Sequence, residues 1–441
     1  MQEIYGSARY LLWSRENRRK DVILEEYMIS AFDFIFYILI FLSVYVQVFF
    51  LVTFIENRKK IVIRNGKIKL KNYPAISITV PCWNEENTVE KTVNSLLDLN
   101  YPKDKLKIFL IDDGSTDKTL DVINKFKDYP NIKVFHKENG GKFTALNLGL
   151  EHCDTDFFGG LDADSFADPE SLVRIMSYFE KDSEAMAVAP SVIISNSKNI
   201  IKKAQKAEYN MGVYFKKMLC FLGAINVTPG PMTIFKKKVF DDLGGYRHGH
   251  NTEDMEIAYR MQKNNYKIEH CNDAYVYTNT PGTTKKLYKQ RLRWIYGFIN
   301  NTIDYRKILF RKKYGNFAVF TLPMGVISIL SVFYLFSRIV YNLGNFLYSK
   351  IVQLKIVGFS FKIKSFIFDP FFINIQSFIF LVFSIYFLVI FAMILGRRMT
   401  EGKWGLSMDM FYFFPIFTII APFWLMKAVY NTLLQRKPAW R

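Results

Sequence analysis

Four stretches of the chain are apolar with almost no charge: residues 31–55, broken only by Asp33, then 317–337, 371–395 and the shorter 410–426. The first three have the length of bilayer-spanning helices. The fourth contains Pro415 and Pro422 and fits either a kinked span or a re-entrant segment. Between the first two runs the pattern changes. Short β-rich runs at 75–80, 107–111, 132–135 and 157–161 alternate with helical periodicity at 87–99, 116–126 and 143–151. That alternation predicts an α/β domain with a doubly wound, mostly parallel sheet, its first strand ending at Pro81. Farther on the pattern gives a helix at 172–179, a strand at 185–194, a long helix at 200–222, a breaker-rich loop at 227–233 and a helix at 255–262. Residues 287–310 interleave Lys and Arg with Leu, Trp, Tyr and Phe, the pattern of an amphipathic helix at a membrane surface. The expected layout is a charged tail (1–30), a membrane span (31–55), a soluble domain (72–285), an interfacial helix (286–312) and a membrane region with two or three spans (315–441).

Charge orients this layout. Arg58, Lys59, Lys60, Arg64, Lys67, Lys69 and Lys71 follow the first span against the single Glu56, which places the central domain in the cytoplasm of a multi-pass cell-membrane protein. Arg397, Arg398 and Lys403 fit the same side, whereas Lys350, Lys355, Lys362 and Lys364 fall outside and run against the rule. The side of Arg436, Lys437 and Arg441 depends on whether the last run crosses. The first run exceeds a signal-peptide core and has a long polar segment before it, so it is expected to remain as an anchor. A formal net charge of +19 raises the question of nucleic acid, but the cations are spread along membrane flanks and the central domain, and no nucleic-acid module is recognisable. Anionic headgroups and a phosphate-bearing substrate account for the excess. Cys82, Cys153, Cys220 and Cys271 match no zinc spacing and are expected to be reduced thiols.

The candidate chemistry sits where strands end. Asn84, Glu85, Asp112, Asp113, Lys142, Asp162 and Asp164 each follow a β-rich run, so a doubly wound sheet would line them along one edge, where such sheets bind ligands. Asp162 and Asp164, with Asp168 nearby, are hard oxygen donors suited to Mg²⁺ or Mn²⁺ rather than zinc. The alternative is a loop whose acids cap a helix beginning near Asp168-Pro169-Glu170. Likewise Thr252 or Asp254 reads locally as a helix cap, and Gln290-Arg291-Leu292-Arg293-Trp294 as a charged aromatic anchor.

Taken as an ordered set, Pro-x-x-Asn-Glu at 81–85, Asp-Asp-Gly-Ser at 112–115, Gly-Lys at 141–142, Asp-Ala-Asp at 162–164, Thr-Glu-Asp at 252–254 and Gln-Arg-Leu-Arg-Trp at 290–294 resemble the membrane-bound processive glycosyltransferases of family 2. That group includes cellulose, chitin, hyaluronan and poly-N-acetylglucosamine synthases. The resemblance implies a nucleotide-sugar-binding fold of the glycosyltransferase A type. It implies Asn84, Glu85 and Asp113 around the uridine and Lys142 near the uridine or diphosphate. Asp164 helped by Asp162 would bind the metal, and Asp254 would be the general base. Gln290, Arg291 and Arg293 would hold the diphosphate and Trp294 would floor the acceptor sugar. Within the group, Thr-Glu-Asp with Gln-Arg-Leu-Arg-Trp is closest to the poly-β-1,6-N-acetylglucosamine synthases, although one N-terminal span departs from the commoner two. The expected partners are a UDP-sugar donor, a polysaccharide or oligosaccharide acceptor and the lipid bilayer, with an accessory membrane subunit left open. Two competing readings are transfer of a single sugar to a lipid or short oligosaccharide, and an inactive scaffold or transporter. The scaffold reading predicts loss of the strand-end acids, and all are present.

Overall fold

The computed structural model describes residues 34–61, 66, 68–357 and 377–436. The expected tail at 1–30, the ends of two apolar runs at 31–33 and 371–376, and Arg64, Lys67, Lys362, Lys364, Lys437 and Arg441 lie outside the described residues. The chain divides into two compact units, Met1–Phe49 with Leu330–Leu388, and Phe50–Ile329 with Val389–Arg441.

The second unit is built on a single eight-stranded sheet in the order β3-β2-β1-β4-β7-β6-β8-β5. Its strands are β1 (Ile76–Cys82), β2 (Leu106–Asp113), β3 (Ile132–Lys137), β4 (Phe157–Gly160), β5 (Ser165–Ala167), β6 (Ala185–Ile194), β7 (Ile234–Lys236) and β8 (Lys267–Thr278). The first four are parallel, as the alternating pattern predicts. The second half is mixed, because β7 runs antiparallel to both β4 and β6, and β5 runs antiparallel to β8. Pro81 does not end β1: it sits opposite Ile111 in register. Pairing with β4 stops at Thr79, so no acceptor on that side is lost through the missing proline N–H.

Naming the apolar helix Phe34–Lys60 α1, the helices between and just after the strands are α2 (Val89–Leu97), α3 (Thr119–Asn124), α4 (Lys142–Glu151), α5 (Ser171–Lys181), α6 (Ile200–Phe221), α7 (Lys238–Leu243), α8 (Glu253–Lys263) and α9 (Thr284–Asp304). A core of Ile76, Ile78, Val80, Leu106, Ile108 and Leu110 with Val93, Leu96 and Leu172 lies on one face of the sheet's parallel half and fixes where its strands end. The chain continues through α10 (Leu322–Val357), α11 (Ser377–Glu401) and α12 (Met408–Leu433). Among the described residues four helices are long and apolar enough to cross a membrane: Phe34–Lys60, Phe317–Ile356, Phe380–Glu401 and Met408–Leu433. Pro415 and Pro422 both lie inside α12, which remains a continuous helix.

The second unit carries polar ties between its sheet-bearing part and the helices after Val389. Lys206 of α6 pairs with Glu401 at 2.9 Å, the Asn210 amide donates to Glu401 at 3.2 Å, and the Tyr275 hydroxyl donates to the Met399 carbonyl at 3.0 Å. Asn300 of α9 donates to Thr432 of α12 at 3.0 Å. In the first unit, Phe36 stacks on Tyr334 with ring centroids 6.3 Å apart.

Candidate active site

The loops after β1, β2 and β4 carry most of the acids singled out in the sequence. Asn84 takes a left-handed conformation (φ 55°), which asparagine tolerates better than most residues. The turn lets its side-chain oxygen accept from the Thr116 N–H at 2.8 Å, while its own N–H donates to Ser115 at 3.0 Å. The Glu85 N–H donates to Thr119 at 2.8 Å, and its carboxylate accepts from the Thr88 hydroxyl at 2.7 Å. The first two loops are thereby braced against each other. Asp113 is buried and accepts from the Lys137 ammonium at 2.7 Å and from the N–H groups of Gly140 and Gly141 at 3.1 and 2.9 Å. It therefore holds the glycine turn that leads into α4. Asp112 faces His136 at 2.7 Å.

That turn delivers Lys142, the first residue of α4, into a carboxylate cluster. Its ammonium lies 2.6 Å from Asp162 and 2.9 Å from Glu253. Burial alone would lower the Lys142 pKa, but Asp162, Glu253 and Asp254 outweigh it and raise it, so the side chain stays charged. The loop at 227–233 closes over this pair. A Cβ on Gly230 would stand 2.6 Å from the Lys142 ammonium nitrogen and 3.0 Å from the Asp162 carboxylate, so the backbone approaches as closely as glycine permits.

Asp164 and Asp254 are the two acids of this region with raised pKa values. Burial pushes Asp164 up to about 6, helped by the charges of Asp162 and Glu85, with the Ser165 hydroxyl and Lys142 opposing. Asp254 is also pushed up to about 6, first by burial and then by Glu253, against Lys142 and Arg293. Burial raises Glu253 too, but its contact with Lys142 wins and lowers it. Asp254 accepts from the Met255 N–H at 2.9 Å, a contact to its immediate neighbour rather than a cap two or three residues on. Its backbone carbonyl accepts from the Thr228 N–H and hydroxyl at 3.2 and 2.8 Å, tying the helix start to the glycine loop. A small cavity bounded by Gly160, Gly230, Tyr246, Glu253 and Asp254 opens at this junction. Lys216 of α6 also feels the Asp254 charge, although burial dominates and pushes it down to about 8.

The donor set suits a hard cation only in part. Among the described residues no three His, Cys, Asp or Glu side chains converge as a metal cage. Asp164 has a hydroxyl donor in Ser165 at 3.2 Å and like charges beside it, so a cation would relieve the repulsion that raises its pKa. Asp162 is engaged by Lys142, and Asp168 accepts from the Glu170 N–H at 3.1 Å at the start of α5. The capping alternative thus describes Asp168, whereas Asp162 and Asp164 stand apart from it. The remaining ligands would have to come from a bound phosphate or water.

Helix α9 contributes the last group. Arg291 is buried, pairs with Glu208 of α6 and lies with its guanidinium carbon 4.0 Å from the Trp294 ring centroid. It also donates to the Gln290 side chain at 3.3 Å. Arg293 donates to the Asn251 carbonyl at 2.7 Å, just before the Thr252-Glu253-Asp254 stretch. Leu287, Leu292 and Tyr296 are buried and α9 packs on α8 and α12, so this face of its amphipathic pattern meets protein. Sequence reasoning singled out the breaker-rich loop that holds Gly230 but missed Glu208, Lys216 and the role of Glu253. Of these three only Glu253 had a signal, its place beside Asp254.

Residues 77–244 match the model for glycosyl transferase family 2. Relatives of this chain include the poly-beta-1,6-N-acetyl-D-glucosamine synthase of Staphylococcus epidermidis, 32% identical over 274 residues, covering 60% of this chain and 65% of that one. The synthase of the same description from Staphylococcus aureus is 31% identical over 269 residues, covering 60% and 64%. The chain thus spans a little under two thirds of the length of these relatives. In fold it is similar to a mannosyltransferase from Pyrobaculum calidifontis solved with GDP-Man and Mn²⁺, with a TM-score of 0.59 and 15% identity, covering 91% of this chain and 99% of that one.

Proposed function

We propose that the chain is an inverting membrane glycosyltransferase that moves a sugar, N-acetylglucosamine, from its UDP donor to a growing β-linked polysaccharide. The observation that carries this reading is Asp254: a partly buried carboxylate, raised to about 6, set across a glycine loop from Lys142 and Asp162. A base with that pKa is ionised at neutral pH yet basic enough to accept a hydroxyl proton. The acceptor oxygen attacks the anomeric carbon, its proton passes to Asp254, and the bond to UDP breaks with inversion. Lys142, Arg291 and Arg293 supply positive charge for the departing diphosphate. Asn84, Glu85 and Asp113 line the uridine side, with Gln290 beside the arginines. A Mg²⁺ or Mn²⁺ ion held by Asp164 and Asp162 would neutralise diphosphate charge. The polysaccharide synthase relatives support the sugar and the polymer.

The ties from α6 and β8 to Glu401 and Met399, at the end of α11, support placing the 402–407 connection on the same side of the membrane as the catalytic domain, the cytoplasm, in a multi-pass arrangement. The test is incubation of purified protein in lipid with individual radiolabelled UDP-sugars, followed by sizing of the product. Long polymer from UDP-N-acetylglucosamine is expected; a single-sugar product would replace processive synthesis with the oligosaccharide reading.

Product length should depend on Trp294. With Arg291 stacked on its ring, the indole is held rigidly and suits the apolar side of a pyranose. Trp294→Ala is expected to keep releasing UDP from the donor while making little polymer, and Trp294→Phe to restore part of the length. Measuring UDP release and polymer size on one monodisperse sample checks this, and full-length polymer from the Ala variant would remove Trp294 from the acceptor site.

A further inference from the structure

Outside the carboxylate cluster the second unit holds a larger cavity, of about 650 Å³, between the loop before α8 and the end of α9. Arg247, Lys263, Lys307 and Arg311 line it, with His248 and His250. Its two acids are already engaged. Glu256 accepts from the Arg260 guanidinium and the Tyr305 hydroxyl, each at 2.7 Å, and Asp304 faces His250 at 2.8 Å. Arg247 approaches Glu256 at 3.8 Å, while Lys263, Lys307 and Arg311 have no acidic partner among the described residues. Cations gathered on a concave surface without matching acids attract an anion.

A second observation gives the ligand another requirement. Asn301, in the cavity wall, is 1% exposed, and its side-chain oxygen has no hydrogen-bond partner. The amide orientation is fixed from the other end. Its NH₂ donates to the Gly249 carbonyl at 3.1 Å and to the Thr252 hydroxyl oxygen at 3.0 Å, and that hydroxyl spends its own proton on Gly249 at 2.7 Å. The orphaned atom is therefore an acceptor that a hydroxyl donor would satisfy. Arg311 and Tyr314 also fall just before the apolar helix that begins at Phe317, which puts the cavity next in the chain to a candidate span.

We infer that this cavity is a binding site for a hydroxyl-bearing phosphodiester of the glycerophosphate type, its phosphate held by Lys307 and Arg311 and a hydroxyl donating to Asn301. The same chemistry is presented by the headgroup of an anionic phospholipid and by a soluble glycerophosphodiester. The site does not depend on the transferase reading. It touches that reading through Thr252, which the Asn301 network positions next to Glu253 and against which α9 packs so closely that a Cβ on Gly297 would stand 2.3 Å from its hydroxyl.

The test uses the full chain in nanodiscs. In phosphatidylcholine discs, glycerophosphoglycerol is titrated by calorimetry; in mixed discs, retained phosphatidylglycerol is counted by native mass spectrometry. Saturable calorimetric binding identifies a soluble ligand, and lipid retention without it identifies the headgroup; either supports the site. Lys307→Glu with Arg311→Glu is expected to weaken whichever signal appears by about tenfold or more. The control pair Lys312→Glu with Lys313→Glu, adjacent in sequence but outside the cavity lining, should leave it unchanged. Absence of both signals, an unaltered signal in the first pair, or an equal loss in the control pair would overturn the proposal.

Discussion

Asp254→Asn is expected to bind UDP about as tightly as the native chain and to transfer sugar roughly 10²–10⁴ times more slowly, because the amide keeps the shape but cannot accept a proton. Stability should move the opposite way. Burial, reinforced by Glu253, raises the folded-state pKa of Asp254 to about 6, against Lys142 and Arg293. A raised carboxyl pKa means the folded chain holds the proton more tightly than the unfolded one. The site's contribution to stability therefore falls as pH rises from the ordinary carboxylate range through about 6, and stays low above it. Asparagine removes that penalty, so the variant should be more stable at neutral pH by roughly 1–3 kcal/mol. Loss of a helix cap would instead destabilise by about 1 kcal/mol and leave transfer intact. Calorimetry with UDP, a radiolabel transfer assay and thermal melts at pH 5 and pH 7 separate these outcomes. In the native chain the same ionisation predicts, on the proposed role, a transfer rate that drops about tenfold per pH unit below about 6.

The stability argument rests on an acid that local pattern reads as a cap, which shows where sequence reasoning reaches its limit. The parallel half of the sheet was legible because β1, β2 and β4 are short apolar runs with acids or turns at their ends, so Asp112, Asp113, Asp162 and Asp164 fall along one edge by topology alone. Of the mixed half only β6 was legible, as the run at 185–194. Strand β8 interrupts its apolar pattern with His270, Asn272 and Asp273, all buried. They are accommodated by distant partners: Arg174 meets Asp273 at 2.6 Å, Lys217 donates to the His270 carbonyl at 2.7 Å, and Ser191 donates to the Asn272 carbonyl at 3.0 Å. No window of neighbouring residues contains that information, and β7, three residues long, is too short to show a period.

The same division holds for charges. That Lys142 follows a glycine turn could be read from sequence; that it sits between Asp162 and Glu253 could not, since the three come from different loops. Arg291 likewise looked like a solvated interfacial cation, yet it is buried against Glu208, a residue in a helix whose pattern gave no hint of a partner. All four cysteines are free and buried, in keeping with the thiols expected from their spacing.

Asp164→Ala is expected to abolish the metal dependence of UDP-sugar binding. Asp162 is held by Lys142 and Asp168 serves the start of α5, so Asp164 is the carboxylate of the three best placed to give its oxygens to a cation. Burial and the charges of Asp162 and Glu85 keep it near 6, a state that a divalent ion would reverse by favouring the ionised form. Titrating Mn²⁺ against UDP by calorimetry should therefore show, in the native chain, tighter UDP binding with metal and proton release whose size grows as the pH is lowered towards 6. In the alanine variant both the metal enhancement and that proton release should disappear, while metal-free UDP binding changes little because Lys142, Arg291 and Arg293 remain. Asp162→Ala gives a different pattern, since it also frees Lys142 and should weaken UDP binding with or without metal. An alanine variant at 164 that keeps both the Mn²⁺ enhancement and the proton release would place the cation on other ligands.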